Sequence, residues 1–398
     1  MRMRVGVLLG VVVALVLLVA SAQAGTKRPA VTNVTLAGWS SGPDEDTLLQ
    51  QVVNTFNSTH PSIHATLSII NGDYPTAMTA RFAAHTPPDV FYVDSSVAGS
   101  WVKQGVLEPL NSFIKASKFN TKAFFPKLLG AFTVGKTIYG FPKDWSPLAM
   151  EINKGMLGKA GGKAPKTWAQ LQQVAQTMAS NNVVPGGKPI CLSADWARML
   201  AFIYQNKGSL STLTSPASIA AVNFYVGLMN KGLAATPDKL GSGWCGEALG
   251  KQKAAIIFEG NWLLPFMKST YPGVQYGIFP MIKNKTGGNL AFTVSYSMAK
   301  DSSNKQAAWT LLSWLTGRAG QKLWVSKGLA LPSRSDVKAI GGRQAFLSAA
   351  PYARGWGFAN PFFANAYTVM GNDLNAVIAG SKSVASMMSD VSSALKGG

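Results

Sequence analysis

Six aromatic residues sit beside polar or conformationally special neighbours in stretches that read as loops or element ends. Trp39 precedes Ser40, Trp145 follows Lys143 and Asp144, and Trp196 follows Asp195. Trp262 follows Asn261, Tyr296 follows Ser295, and Trp356 follows Arg354 and Gly355. This pairing suits sugars. Pyranose C–H faces stack on rings, while hydroxyls bond to carboxylates, amides and Arg. A single Trp is more often a core residue, but six at element ends form a pattern. Carboxylates are scarce, 17 Asp and Glu against 37 Lys and Arg, so each one is informative. Asp44, Asp94, Asp144, Asp195 and Glu259 fall at apparent strand ends or helix starts. There they act either as caps or as acceptors for a ligand. Paired carboxylates also equip glycoside hydrolases, and Asp144 with Glu259 is the pair such an enzyme would use.

Other chemistry finds little support. The three histidines, His60, His64 and His85, have no cysteine at metal-ligand spacing. Neither a metal nor a cofactor is expected. Cys191 and Cys245 are the two cysteines. They are either free buried thiols or a bridge, which at this loop length would stabilise the fold by about 4 kcal/mol.

The formal charge is +20, yet only 14% of residues are charged, against about 25% ordinarily. The imbalance is a shortage of acids more than an excess of bases. Lys and Arg are scattered singly, which speaks against nucleic-acid binding. A surface adapted to an acidic medium is one reading; attraction to an anionic partner is the other.

The elements that must position these residues can be read in outline. Arg2 and Arg4, the apolar run from Val5 to Ala20 and Ala22-Gln23-Ala24 form a cleavable export signal over residues 1–24. That run is short for a membrane span, and no later run is longer. Strand-like alternation over Val31–Ala37 is followed by Asp44, Glu45 and Asp46 opening a helix. Leu48, Leu49, Val52, Val53 and Phe56 supply its apolar stripe. A strand over Ile63–Ile70, a helix over Pro75–Ala84 and a buried strand over Asp89–Val93 follow. Strand alternating with helix implies a parallel sheet covered by helices. Downstream, Thr167 to Gln170 fits a capping box. Helices are predicted over Pro216–Asn230, Asn261–Lys268 and Ala307–Leu315, and strands over Ala254–Phe258 and Ala291–Met298.

Several ordered motifs now carry a resemblance. These are Pro88-Asp89-Val90, Gly105-Val106-Leu107-Glu108-Pro109-Leu110, the hairpin from Gly135 to Pro142, Pro165-Lys166-Thr167-Trp168, Glu259-Gly260-Asn261-Trp262 and Leu331-Pro332-Ser333-Arg334. Together the chain resembles bacterial extracellular solute-binding proteins, in the sugar-binding branch that serves ABC importers. It departs from that pattern at Ile152-Asn153 and over Thr293–Tyr296, both near the expected cleft.

The resemblance implies an α/β, two-lobed periplasmic-binding-protein fold, each lobe a mostly parallel sheet flanked by helices. Residues 31–142 plus 294–332 would form the N-terminal lobe, and 146–290 plus 336–398 the C-terminal lobe. Crossings are expected near Pro142–Pro147, Ala291–Ser295 and Pro332–Asp336. The lobes would close by hinge motion on a carbohydrate and present it to importer permease subunits, with no reaction performed. A monomer retained in a periplasm is expected, since no lipid-attachment cysteine follows the export signal.

Family cleft positions carry over to Trp39, Asp44, Asp94 and Tyr74 in the first lobe and to Asp144 and Trp145 at the hinge. In the second lobe they carry over to Trp196, Glu259, Asn261 and Trp262, with Tyr296, Arg354 and Trp356 from late segments. Trp145, Trp262 and Trp356 are the expected stacking surfaces; Asp94, Asp144 and Glu259 are the expected hydroxyl acceptors. Alanine at Glu259 is expected to weaken binding without unfolding. An anionic solute such as a glycerol phosphate ester is the alternative, although no basic cluster flanks these motifs in sequence.

Overall fold

The computed structural model describes residues 30–355 and 360–398. The export signal and Trp356 therefore lie outside the described residues. Two sheets, each with its own apolar core, account for most of the chain.

The first sheet runs in the order Ala353–Gly355, Asn289–Met298, Val90–Asp94, Thr32–Trp39, Ile63–Ile70, and Gly140–Pro147 also pairs with Asn289–Met298. Thr32–Trp39 lies parallel to both Ile63–Ile70 and Val90–Asp94, as the strand–helix alternation predicts. The Pro43–Thr59 helix buries Leu48, Leu49, Val52, Val53 and Phe56 against this sheet, the stripe its period placed on one face. Asn289–Met298 instead runs antiparallel to Val90–Asp94 and Gly140–Pro147. A strand that enters from the other lobe need not obey the helical-crossover rule.

The second sheet runs Tyr276–Phe279, Ala149–Asn153, Ala254–Glu259, Lys188–Cys191, Ala234–Ala235. Its two last pairings are parallel and its first two antiparallel. Both sheets are thus mixed, parallel where helices cross and antiparallel where the chain changes lobe. Thr167 caps the Trp168–Ser180 helix by accepting from Gln170 N at 3.3 Å, and Gln170 Oε1 accepts from Lys166 N at 2.8 Å. The Cys191 and Cys245 sulfurs are bonded, tying a strand end to the Cys245–Gly250 helix within the second lobe.

Among the described residues, two crossings join the lobes. Gly140–Pro147 leaves the first sheet and Ala149–Asn153 enters the second almost at once. The return runs between Phe279 and Asn289. Asn289, fully buried, ties these two crossings: its side chain accepts from Leu148 N at 3.1 Å and donates to Leu148 O at 2.7 Å. The chain does not leave the first lobe at Pro332–Asp336. Ala353–Gly355 pairs with Asn289–Ala291 in the first sheet, and Val337 packs in the first core. The expected boundaries therefore shift: residues 337–355 stay with the first lobe and the hinge, and Phe363–Ala394 joins the second core.

Candidate functional site

The ends of these strands and the crossings enclose a chain of connected cavities between the lobes. The central one, about 190 Å³, is lined by Trp39, Asp94, Lys143, Asp144, Trp262 and Thr293, among others. Trp39 and Asp94 also line a neighbouring cavity of about 470 Å³ that reaches Tyr74, Ser96 and Tyr367. On the other side, Glu45, Trp262 and Leu329 are shared with a cavity of about 170 Å³.

The two walls come from different cores. Trp39 packs on the first core and Trp262 on the second, and both are only half-buried. Trp39 ends its strand with its ring held edge-on by Tyr74 at 5.2 Å and Tyr92 at 5.1 Å. Trp262 is oriented by its indole N–H, which donates to Glu259 Oε2 at 3.0 Å, and by edge contact with Phe292 at 5.1 Å. Two fixed aromatic rings thus border one largely apolar cavity that also carries charged groups, an arrangement suited to sugar C–H surfaces and hydroxyls.

The polar lining centres on Lys143. Its ammonium lies 2.5 Å from Asp144 Oδ2 and 3.6 Å from Glu45 Oε1, over the rings of Trp324 and Tyr92. Trp324 Nε1 donates to Asp144 Oδ2 at 2.8 Å. Burial alone would lower the Lys143 pKa, but Asp144 and Glu45 together raise it. Glu45 is pushed up by burial, with Lys143 opposing. Asp94 is likewise raised by burial, against the Ser96 hydrogen bonds. The cavity therefore offers a cation and carboxylate oxygens within reach of one another, able to donate to and accept from a hydroxylated ligand.

Sequence-predicted residues divide by environment. Trp39, Asp94, Asp144, Trp145 and Trp262 line the central cavity, Tyr74 its neighbour, and Asp44 the far end. Trp145 is nevertheless only 5% exposed, packed with Leu128, Leu331 and Phe346 in a small hinge core. It is an edge of the cavity more than an open stacking face. Glu259 is fully buried behind Trp262, bonded to Arg198 Nη2 at 2.6 Å. It positions the ring and does not present oxygens to the cavity, so the Asp144–Glu259 hydrolase pair is not assembled on the cleft surface.

Asn261, also fully buried, donates to Gly328 O at 3.1 Å and Leu329 O at 2.6 Å, fastening hinge segments. Trp196 lies in the second core, stacked on Phe363 at 5.3 Å. Its neighbour Asp195 is a helix cap that accepts from Ala197 N at 2.6 Å. Tyr296 is buried edge-on to Tyr92. Arg354 is exposed, with its guanidinium 4.8 Å from the Tyr204 ring centroid, away from these cavities. Trp356 lies outside the described residues.

Sequence reasoning missed Lys143, Glu45, Ser96 and Tyr367 as cleft residues. For Lys143 the signal was present: it adjoins Asp144 and Trp145. Glu45 was masked by its other role, as an acid in a helix's first turn.

The model for bacterial extracellular solute-binding proteins matches residues 39–322. A binding protein of Brucella abortus is 27% identical over 343 residues, covering 82% of this chain and 79% of its own. A multiple sugar-binding protein of Streptococcus mutans is 23% identical over 351 residues, covering 80% of each chain. Among solved structures, an ABC substrate-binding protein of Listeria monocytogenes in complex with cycloalternan has a TM-score of 0.82 at 19% identity. That alignment covers 92% of this chain and 98% of the other, and at such identity the likeness speaks for the fold. The family match spans both lobes and these two crossings, so the chain belongs to the bacterial extracellular solute-binding proteins.

Proposed function

We propose that this protein captures a carbohydrate in the interlobe cleft and delivers it to the permease subunits of an ABC importer. The observation that carries this reading is the pair Trp39 and Trp262. Each is half-buried, each belongs to a different lobe's core, and both face one cavity with Lys143, Asp144 and Asp94 in its lining. Closing such lobes on a sugar would bury both its faces and its hydroxyls. Relatives named for sugar binding support the ligand class.

Binding without turnover fits a cleft in which Asp144 and Glu45 are tied to Lys143, while Glu259 is buried with Arg198 behind Trp262. In this reading the basic and apolar N-terminus is a removable export signal, and the mature protein works as a periplasmic monomer. Among the described residues no helix is long and apolar enough to cross a membrane. The test is a thermal-shift screen of neutral and acidic oligosaccharides, polyols and phosphate esters. A specific oligosaccharide should raise the Tm and be recovered intact. Cleaved sugar would overturn the assignment as a binder.

A further inference from the structure

Beyond Trp262 the cleft opens into a cavity of about 550 Å³ between the Pro43–Thr59 and Leu263–Thr270 helices. Three cations, Lys268, Lys327 and Arg343, line it with a single carboxylate, the exposed Asp44. They lie far apart in sequence, which is why no basic cluster is visible there. Among the described residues, none of the three has a carboxylate at ion-pair distance. By contrast Lys143, Arg198, Lys251, Lys305, Arg334 and Lys382 each do.

Arg343 is the anchor. It is half-buried, and its Nη2 donates to Gly328 O at 2.6 Å. Gly328 has φ +69°, and a Cβ there would meet Ile340 at 2.1 Å and Arg343 at 2.7 Å. Glycine is what lets the guanidinium lie against this turn. Arg343 Nε is buried with no protein partner. Burial lowers the Arg343 pKa, a cost that a neighbouring negative charge would offset. Three like charges around one cavity, one of them a half-buried guanidinium fixed on the Gly328 carbonyl, favour an anion there. Arg in particular suits the planar oxygens of carboxylate and phosphate.

We propose that this cavity is an anion subsite that takes a carboxylate or phosphate group carried by the captured solute. The cavity is continuous with the site at Trp262 through Asp44, Pro265 and Leu329. The inference rests on the cleft-capture reading and deepens it: the solute is a sugar derivative bearing an anionic group, a uronate or a phosphate ester.

The test is an NMR titration of the full protein with galacturonate, glycerol 3-phosphate, inorganic phosphate and glucose, followed at the Gly328 amide and the Arg343 Nε–H. Saturable shifts are expected with at least one anion and not with glucose. The anion's Kd should weaken at least fivefold in R343Q and in the K268Q/K327Q pair; the two Lys are exposed, so the pair should keep its fold. Response to galacturonate alone assigns a uronate, and response to glycerol 3-phosphate alone a phosphate ester. Inorganic phosphate binding as tightly as glycerol 3-phosphate assigns the phosphate group itself. No saturable shift with any anion, or an unchanged Kd in K268Q/K327Q, would overturn the subsite. A neutral oligosaccharide that still binds at Trp262 under that outcome would leave carbohydrate capture standing. Anion binding without any sugar binding would do the reverse.

Discussion

The two walls of the cleft hold the same device in different places. In the first lobe Lys143 sits between Asp144 and Glu45, and Trp324 donates to Asp144. In the second lobe Arg198 sits between Asp195 and Glu259, at 2.5 and 2.6 Å, and Trp262 donates to Glu259. Each cation also lies over two rings: Lys143 over Tyr92 and Trp324, Arg198 near Trp262 and Phe292. Yet the first cluster lines the cavity, while the second lies behind the ring it supports. One carboxylate–cation–carboxylate cluster is open to the cleft, and the other braces the Trp that stands between it and the cleft. Residue type alone does not separate the two.

The largest effect should come from removing one member of the brace. Burial pulls the Arg198 pKa down, but Glu259 and Asp195 more than restore it. Glu259→Ala would leave that guanidinium short of its fully buried partner. About 3–5 kcal/mol of stability should be lost, read as a large fall in the denaturation midpoint. This reverses the expectation that Glu259→Ala leaves the fold intact. A variant with wild-type stability and weakened binding would restore Glu259 to the cavity surface.

The second lobe also carries the disulfide. Reducing Cys191–Cys245 should destabilise that lobe by about 4 kcal/mol in the chain-entropy model. Thermal melts with and without reductant check this; an unchanged Tm on verified reduction would contradict it.

The cavity-lining rings should behave oppositely. Trp39→Ala and Trp262→Ala should each weaken sugar binding by roughly tenfold or more, about 1.4 kcal/mol. Calorimetry would show the difference between them. Trp262→Ala also frees Glu259 and should cost some stability, whereas Trp39→Ala should cost less.

The smallest effect concerns pH. Glu151 is fully buried behind the brace, with Glu259 N donating to its Oε2 at 3.0 Å and its Oε1 unpartnered. Burial, and then the nearby Glu259 charge, push its pKa well up. The folded state therefore holds this proton more tightly than the unfolded chain. Its stabilising contribution is complete below the ordinary carboxylate range and is lost as pH rises through the raised value. Glu151→Gln, which mimics the protonated form, should raise the Tm at pH 7 by the equivalent of about 1 kcal/mol. At pH 4.5 it should change little. An equal change at both pH values would remove the account.

Much of this was legible in sequence, and the remainder fails for identifiable reasons. The strand Ile63–Ile70 and the helix Pro216–Asn230 were read to the residue, because alternation and an apolar helical pattern after Ser215 are local signals. Trp39 and Trp262 were found because an aromatic beside a polar residue at an element end is also local. Trp196 shows the limit. Asp195-Trp196 has the same signature, yet the Asp caps a helix and the Trp enters the core. Glu45 and Lys143 meet only through the fold, 98 positions apart by their numbers. The convergence of Lys268, Lys327 and Arg343 is equally invisible before the lobes are assembled.

The most direct measurement is calorimetric titration of the full protein and of a Trp39→Ala/Trp262→Ala double variant with an oligosaccharide found in the thermal-shift screen. The account predicts micromolar or tighter binding to the native protein, recovery of the sugar uncleaved, and loss of affinity by about two orders of magnitude in the double variant. Undiminished affinity in the double variant would contradict the claim that these two rings, one from each lobe, form the carbohydrate site.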